Sequence, residues 1–213
     1  MWLKLSTLFL LPVLFIQGHK VRKNTPRLAE AKGEREGRAG QGKSLSLLIL
    51  GDSAAAGVGV ENQKDALSGA IIQELQNEFS LQWKLHAKTG DTTRQVFNAL
   101  QHLEEQKYDV IVTSIGVNDV TKLIIVSGVP PMQHFPALPN PLAWLFGQYA
   151  EQMNQKLQQW LAPQSHFKFL EYDVETFQAM NLPMASDGFH PSKEVYAVWG
   201  RQVAAIVRQS FNS

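Results

Sequence analysis

The sequence contains no cysteine, which excludes disulfides, a thiolate nucleophile and Cys-ligated zinc, and leaves the redox compartment open. It lacks a strong net charge, with a formal +1 at pH 7. It also lacks an apolar run of about 20 residues, the length a full membrane crossing needs. The nearest approach is Leu5 to Ile16, and even Trp2 to Gly18 is marginal without Lys4 reaching back to the interface. There is no internal repeat. His86, His102 and His166 have no paired ligand at metal spacing. What is present is an ordinary globular composition, 44% hydrophobic and 18% charged over 213 residues, enough for one sizeable core with a tail left over.

The small net charge hides an asymmetry. Residues 1–43 hold 9 Lys/Arg against 3 Asp/Glu, and the remainder 11 against 16. A mildly acidic body argues against nucleic acid as a partner, since phosphate binding needs clustered cations on the folded surface. The basic head points instead to a membrane surface. Phe15-Ile16-Gln17-Gly18-His19 lacks an Ala-x-Ala-like cleavage site, and most positive charge follows the apolar run. An uncleaved anchor is therefore favoured over a signal peptide, with a helix lying on the membrane or packed on the body as the further alternative. The Lys/Arg excess after the segment places the body on the cytoplasmic side; secretion or a periplasmic location after cleavage is the alternative. Asn24 to Lys43, rich in Gly, Glu, Arg and Lys, reads as a solvated linker. The expected division is 1–43, a hydrophobic segment and basic linker, and 44–213, the folded domain.

From Leu45 onward apolar runs alternate with longer amphipathic stretches, which predicts an α/β domain with a mostly parallel sheet. Strands are expected at Leu45 to Leu50, Trp83 to Ala87, Val110 to Ile115, Leu123 to Val126 and Phe167 to Tyr172. Helices are expected at Gln63 to Phe79, Thr93 to Gln106, Leu142 to Leu161 and Lys193 to Phe211, the last capped by Ser192. Trp144, Trp160 and Trp199 fall on these helices and are expected to pack on the sheet. Only seven residues separate Ile115 from Leu123, whereas a parallel crossover takes about a dozen or more. Either Leu123 to Val126 is not a parallel neighbour of the preceding strand, or a crossover helix is missing. Gly128 to Pro141 carries five prolines and reads as an irregular loop, with His134 an exposed residue on it.

Four short blocks could carry chemistry. Leu48-Ile49-Leu50-Gly51-Asp52-Ser53 ends an apolar strand in a sharp turn, and places a serine where open α/β sheets hold their ligands. The small residues after it let backbone approach a substrate, and a backbone N–H there can face an oxyanion. Asp187 and His190, three apart in the turn before the last helix, can hydrogen-bond so that the carboxylate sets the imidazole tautomer. That is the base a serine nucleophile requires. Ile115-Gly116-Val117-Asn118-Asp119 ends another strand, and Asn118 has a side-chain N–H to offer, though Asn and Asp also simply cap turns. Lys88-Thr89-Gly90-Asp91 follows the second strand, and Gly90 by itself signals only a loop.

In this order the four blocks resemble the SGNH hydrolases, also called GDSL-type esterases and lipases, across roughly Leu45 to Phe211. The residues carrying the resemblance are Ser53 in Gly51-Asp52-Ser53, Gly90, Asn118 in Gly116-Val117-Asn118-Asp119, and His190 in Asp187-Gly188-Phe189-His190. It implies a three-layer α/β/α, flavodoxin-like fold and hydrolysis of carboxylic esters through an acyl-serine. Ser53 would be the nucleophile, His190 its base and Asp187 the orienting carboxylate. The oxyanion hole would comprise the Ser53 and Gly90 N–H groups and the Asn118 side chain, with no metal or organic cofactor. The partner would be a small-molecule ester, with lipid favoured by the Pro-rich loop and the membrane-type head. Ala54 stands where the family's name motif has Leu, and Thr121-Lys122 runs straight into Leu123 where members carry a helix. A membrane-tethered, catalytically impaired member is therefore one alternative. A nucleotide-binding α/β domain using Gly51, Gly57 and Gly59 is another, without a dinucleotide fingerprint or a Gly-Lys-Ser/Thr motif at that turn.

Overall fold

The structure, a computed structural model, describes residues 2–92, 94–96, 98, 108–113, 123–172 and 183–211. Six strands form one sheet: β1 (Glu36–Ala39), β2 (Lys43–Gly51), β3 (Phe79–Ala87), β4 (Val110–Thr113), β5 (Leu123–Ser127) and β6 (Phe167–Leu170). Their spatial order is β1-β3-β2-β4-β5-β6, with β1 antiparallel to β3 and every other pair parallel. Numbering the parallel strands alone gives 2-1-3-4-5, the flavodoxin-like order, whose switch point lies between β2 and β4.

Both faces of the sheet are buried, for a reason visible in β2. Leu45, Leu47 and Ile49 point into one core, Leu48 and Leu50 into the other, and all five are at most 1% exposed. Burying each such side chain contributes about 1.5–3 kcal/mol. The first core is covered by α2 (Leu67–Leu75) and α4 (Lys193–Phe211), which supply Leu67, Ile71, Leu75, Tyr196, Trp199 and Val203. The second is covered by Val96 and the end of α3 (Leu142–Leu161), through Leu157 and Leu161. The result is three layers, α/β/α.

Strands β2 to β6 lie on the expected segments, with shifts of boundary. β3 begins four residues before Trp83, because Phe79, Leu81 and Leu85 follow the period of two and are buried. The helix expected over Gln63 to Phe79 is consequently shorter: a 3-10 turn at Gln63–Asp65, then α2. Gln63 is buried there, with Nε2 donating to the Ala31 and Ala56 carbonyls and Oε1 accepting from Ser68. α3 and α4 have the expected bounds, and Ser192 Oγ accepts from Val195 N–H at 3.4 Å. Of Thr93 to Gln106, residues 94–96 and 98 are helical and the remainder lies outside the described residues.

β5 is a parallel neighbour of β4, in register from Val110↔Leu123 to Thr113↔Val126. The short connection does not prevent the pairing because the strand to be retraced is only four residues long, about 13 Å, while nine extended residues reach about 30 Å. Residues 114–122 themselves lie outside the described residues.

Two expectations are corrected. The stretch Asn24 to Lys43 is not a free linker: Ala31 is buried, Lys32 bridges to Asn62, and β1 closes the edge of the sheet with a Glu36–Lys84 cross-strand ion pair. Its polar composition suits an edge strand, whose outer side is solvated. Trp144 and Trp160 are 39% and 44% exposed rather than packed beneath their helix; only Trp199 is buried on the sheet. The head forms α1 (Trp2–Asn24), 23 residues with Pro12 inside, the one helix among the described residues long and apolar enough to cross a membrane.

α2 and α4 cross where Gly200 meets Ala70, and a Cβ on Gly200 would lie 2.5 Å from that of Ala70. Gly200→Leu is expected to force the helices apart and cost about 1–3 kcal/mol, measured as a lower urea midpoint at unchanged m-value.

Candidate active site

Ser53 stands two residues past the end of β2, at the carboxyl edge of the sheet. Its turn is built by local bonds: Asp52 Oδ1 accepts from Ala54 N–H at 3.2 Å, the Asp52 carbonyl from Ala56 N–H at 2.9 Å, and the Ser53 carbonyl from Val58 N–H at 3.0 Å. Tyr196, fully buried on α4, donates its O–H to the Val58 carbonyl at 2.7 Å and pins the far side of the turn. Burial raises the Tyr196 phenol, and the charges of Tyr172, Asp52 and Asp187 raise it further, so it remains a donor.

Asp187 and His190 sit on a closed loop before α4. Met184 pairs with Pro191, Ala185 N–H donates to the His190 carbonyl at 2.8 Å, and Gly188 turns the chain at φ 65°. Asp187 is 5% exposed. Its Oδ1 accepts the N–H groups of Phe189 and His190, each at 2.9 Å, and its Oδ2 lies 2.5 Å from His190 Nδ1. Burial pushes this carboxyl up, but the His190 backbone and ring bonds and the Phe189 N–H outweigh it, holding the group below the usual carboxylate value. An ionised carboxylate only accepts, so Nδ1 carries the proton. That leaves Nε2 to accept from Ser53 Oγ, 3.0 Å away. The structure thus joins Ser53, His190 and Asp187, the three residues expected together, in one hydrogen-bonded chain.

The two loops can approach because of Gly59. It has φ 108°, and a Cβ there would collide with the Pro191 carbonyl and reach Ala185 Cβ at 3.0 Å and His190 Cβ at 3.4 Å. Gly57 likewise closes on Ala66 and Ala31. The space these glycines leave is filled by protein, which removes the ground for a phosphate-cradling turn.

Gly90 lies in the turn after β3, at φ 85° with open space where a Cβ would stand, so backbone conformation is what favours glycine there. This turn is tied to the Ser53 turn by Lys88 N–H donating to the Gly51 carbonyl at 3.4 Å. It is also held from the presumed linker: Arg35 donates to the Ala87 carbonyl at 2.6 Å and to Glu30 at 2.7 Å, and Glu30 accepts the Thr89 N–H at 2.7 Å. Burial raises the Glu30 carboxyl, but the Thr89 and Arg35 contacts bring it below its usual value. Asn118 lies outside the described residues.

A cavity of about 520 Å³ opens at Ser53 and His190. Its wall is formed mainly by Met132, Phe135, Tyr172, Met184, Phe189 and Trp199, with Phe135 and Phe189 edge to face at 5.3 Å. Asp52 and Asp91 stand at the site, and no Lys or Arg is among the described residues lining it. Burial lifts the Tyr172 phenol to about 12, and Trp199 Nε1–H donates to Ser127 Oγ at 3.2 Å. These wall residues come from four separate stretches of chain and carry no local signal. The Pro-rich composition of 128–141 was the only pointer to them, and His134 is exposed on that loop as expected.

The Asp187 carboxyl loses its proton more readily in the folded chain than in an unfolded one, so its stabilisation is fully present above the unfolded value of about 4 and lost as pH falls through the lower folded value. Asp187→Asn is expected to be less stable than wild type at neutral pH, with the gap narrowing on acidification below about pH 4, followed by denaturant unfolding across pH.

No protein-family model matches the sequence, and no curated protein matches it. Solved structures do. A lipase from a goat rumen metagenome superposes with a TM-score of 0.59 at 19% identity, covering 76% of this chain and 96% of that one. A lipolytic G-D-S-L family protein from Veillonella parvula gives 0.57 at 11%, over 76% and 97%. A carbohydrate acetylesterase family member from Sinorhizobium meliloti gives 0.53 at 15%, over 79% and 100%. At these identities the likeness establishes architecture, and it does so over nearly the whole of each neighbour: the chain has the α/β/α, flavodoxin-like fold of the G-D-S-L lipolytic structures.

Proposed function

We propose that this protein is a serine hydrolase that cleaves carboxylic esters with apolar acyl groups, attached to a membrane through α1. The observation that carries this reading is the Ser53–His190–Asp187 hydrogen-bonded chain opening into an apolar cavity. The lipase and lipolytic neighbours of the same fold support it.

In the proposed reaction Ser53 Oγ attacks the acyl carbonyl carbon as His190 Nε2 takes its proton. Asp187, charged and buried beside Nδ1–H, stabilises the imidazolium so formed and keeps the ring from turning. The tetrahedral intermediate collapses, the ester C–O bond breaks, and His190 delivers the proton to the departing alcohol. Water then attacks the acyl-serine with His190 again as base, releasing the acid and restoring Ser53. The Ser53 and Gly90 N–H groups and the Asn118 side chain are assigned to the oxyanion. For Gly90 the support is the tie between its turn and that of Ser53; for Asn118 it is the sequence block alone.

The cavity favours neutral, apolar acyl chains. Its wall is aromatic and thioether, and its described charged groups are acidic apart from the histidine, so an anionic substrate would meet repulsion without a counter-ion. Hydrolysis of a nitrophenyl ester series is expected to rise from acetyl to medium-length acyl chains. Ser53→Ala should lose about 10³-fold or more in kcat and no longer take a fluorophosphonate label. Wild-type protein that takes the label but turns over no ester would identify the impaired alternative, and failure of both would overturn the reading.

Gly59→Ala gives a second check, since it leaves every reacting group in place. Displacing the His190 loop by a fraction of an ångström to one ångström is expected to lower kcat by about 10- to 100-fold with a smaller change in KM, because Met184 and Phe189 of the cavity wall ride on that loop while Met132, Phe135, Tyr172 and Trp199 do not.

A further inference from the structure

We propose that α1 lies along the surface of an anionic membrane, side by side with α3, and so holds the Ser53 cavity at the bilayer. The last step rests on the ester-hydrolase reading; the placement of α1 does not.

Two anchors fix the helix along its length. Thr7 Oγ1 is 3.0 Å from Tyr149 Oη, and Gln17 bonds the start of α3, donating to the Asn140 carbonyl at 2.6 Å and accepting from Leu142 N–H at 3.1 Å. Ten residues of helix separate the anchors, about 15 Å, so α1 runs antiparallel to α3 and in contact with it. A helix crossing the bilayer by itself would have to release both anchors.

From Trp2 to Ile16, what α1 shows to the outside is apolar apart from Lys4. Leu14 and Val21 pack inward on the cluster of Phe135, Leu138, Leu142 and Ala143, while Phe9 and Phe15 are 86% and 75% exposed, with Trp2, Leu8 and Ile16 beside them. A helix between protein and water carries a polar outer face. A helix apolar all round, with protein on one side, suits hydrocarbon on the other. The surface continues onto α3, where Phe146 and Met153, three before and four after Tyr149, share its face and are exposed.

Charge selects the occupant. No acidic residue precedes Glu30, whereas Lys4, Lys20, Arg22, Lys23 and Arg27 all do. Two copies of this surface would repel each other, but anionic headgroups attract it, at about 1 kcal/mol per basic residue near the surface. The coupling to the site is direct: Phe135 belongs both to the cluster under α1 and to the cavity wall, and Met132, Met184 and Phe189 pack on that cluster while lining the cavity.

The absence of native cysteine allows single-site labelling of the full chain. Trp2→Cys, Phe9→Cys and Ile16→Cys, each carrying an environment-sensitive fluorophore, are mixed with phosphatidylglycerol/phosphatidylcholine or pure phosphatidylcholine vesicles and quenched by lipids spin-labelled at graded depths. The expected result is binding at least tenfold tighter to the anionic vesicles and the same shallow depth at all three positions. Phe9→Glu should weaken vesicle binding at least tenfold and leave hydrolysis of a soluble ester in vesicle-free buffer unchanged. A depth profile that peaks at position 9, equal binding to both vesicles, no binding, or an intact mass showing α1 removed would each overturn the proposal. Because the fluorescence is read equally well in the Ser53→Ala background, absence of esterase activity would overturn the function while leaving the surface placement standing.

Discussion

A buried carboxylate must be supplied with donors, and Asp187 takes three of them from the two residues that follow Gly188. Those bonds cannot form unless the chain folds back at Gly188 and brings His190 beneath the carboxyl, so the loop's shape, the ring's orientation and its tautomer are one constraint. Leaving that charge unpaired at this depth would cost several kcal/mol. The rest of the site is arranged around the loop once it is made: Gly59 leaves room for it, and Ser53 receives its free ring nitrogen.

The scaffold keeps the two loops in step. α4 begins directly after the loop, and its first turns carry Tyr196, which reaches the Val58 carbonyl in the Ser53 turn, and Trp199, which reaches Ser127 at the end of β5. One helix therefore ties together the chain ends of two strands and the base that serves them. Because these polar groups are buried and paired, moving any of them would expose an unmet donor or acceptor, which makes α4 a rigid reference for the site.

The N-terminal forty residues belong to the same structure. β1 protects the sheet edge, Glu30 and Arg35 brace the turn that carries Gly90, and α1 rests on the cluster that walls the cavity. A stretch whose composition suggests a spacer thus bears on the site, and the apolar helix that precedes it packs on the cluster that includes Phe135 of the cavity wall.

Much of this was legible in the order of residues. The doubly apolar run of β2, the period-two run from Trp83 to Ala87, and the long amphipathic patterns of α3 and α4 reflect burial on one face or two, and burial is written locally as periodicity. Asp187 and His190 are three apart, so their partnership is local too, and the order of the four blocks pointed to Ser53 as the partner. Other features depend on contacts between distant segments. That β5 pairs with β4 despite a short connection, that Glu36–Ala39 joins the sheet, that Trp144 and Trp160 face outward, and that Gly59 yields to His190 rather than to a phosphate were decided only when the layers packed. The hydrogen-bonding of a polar edge strand and the space beside a glycine are properties of what lies opposite, and a single stretch of sequence does not carry its opposite with it.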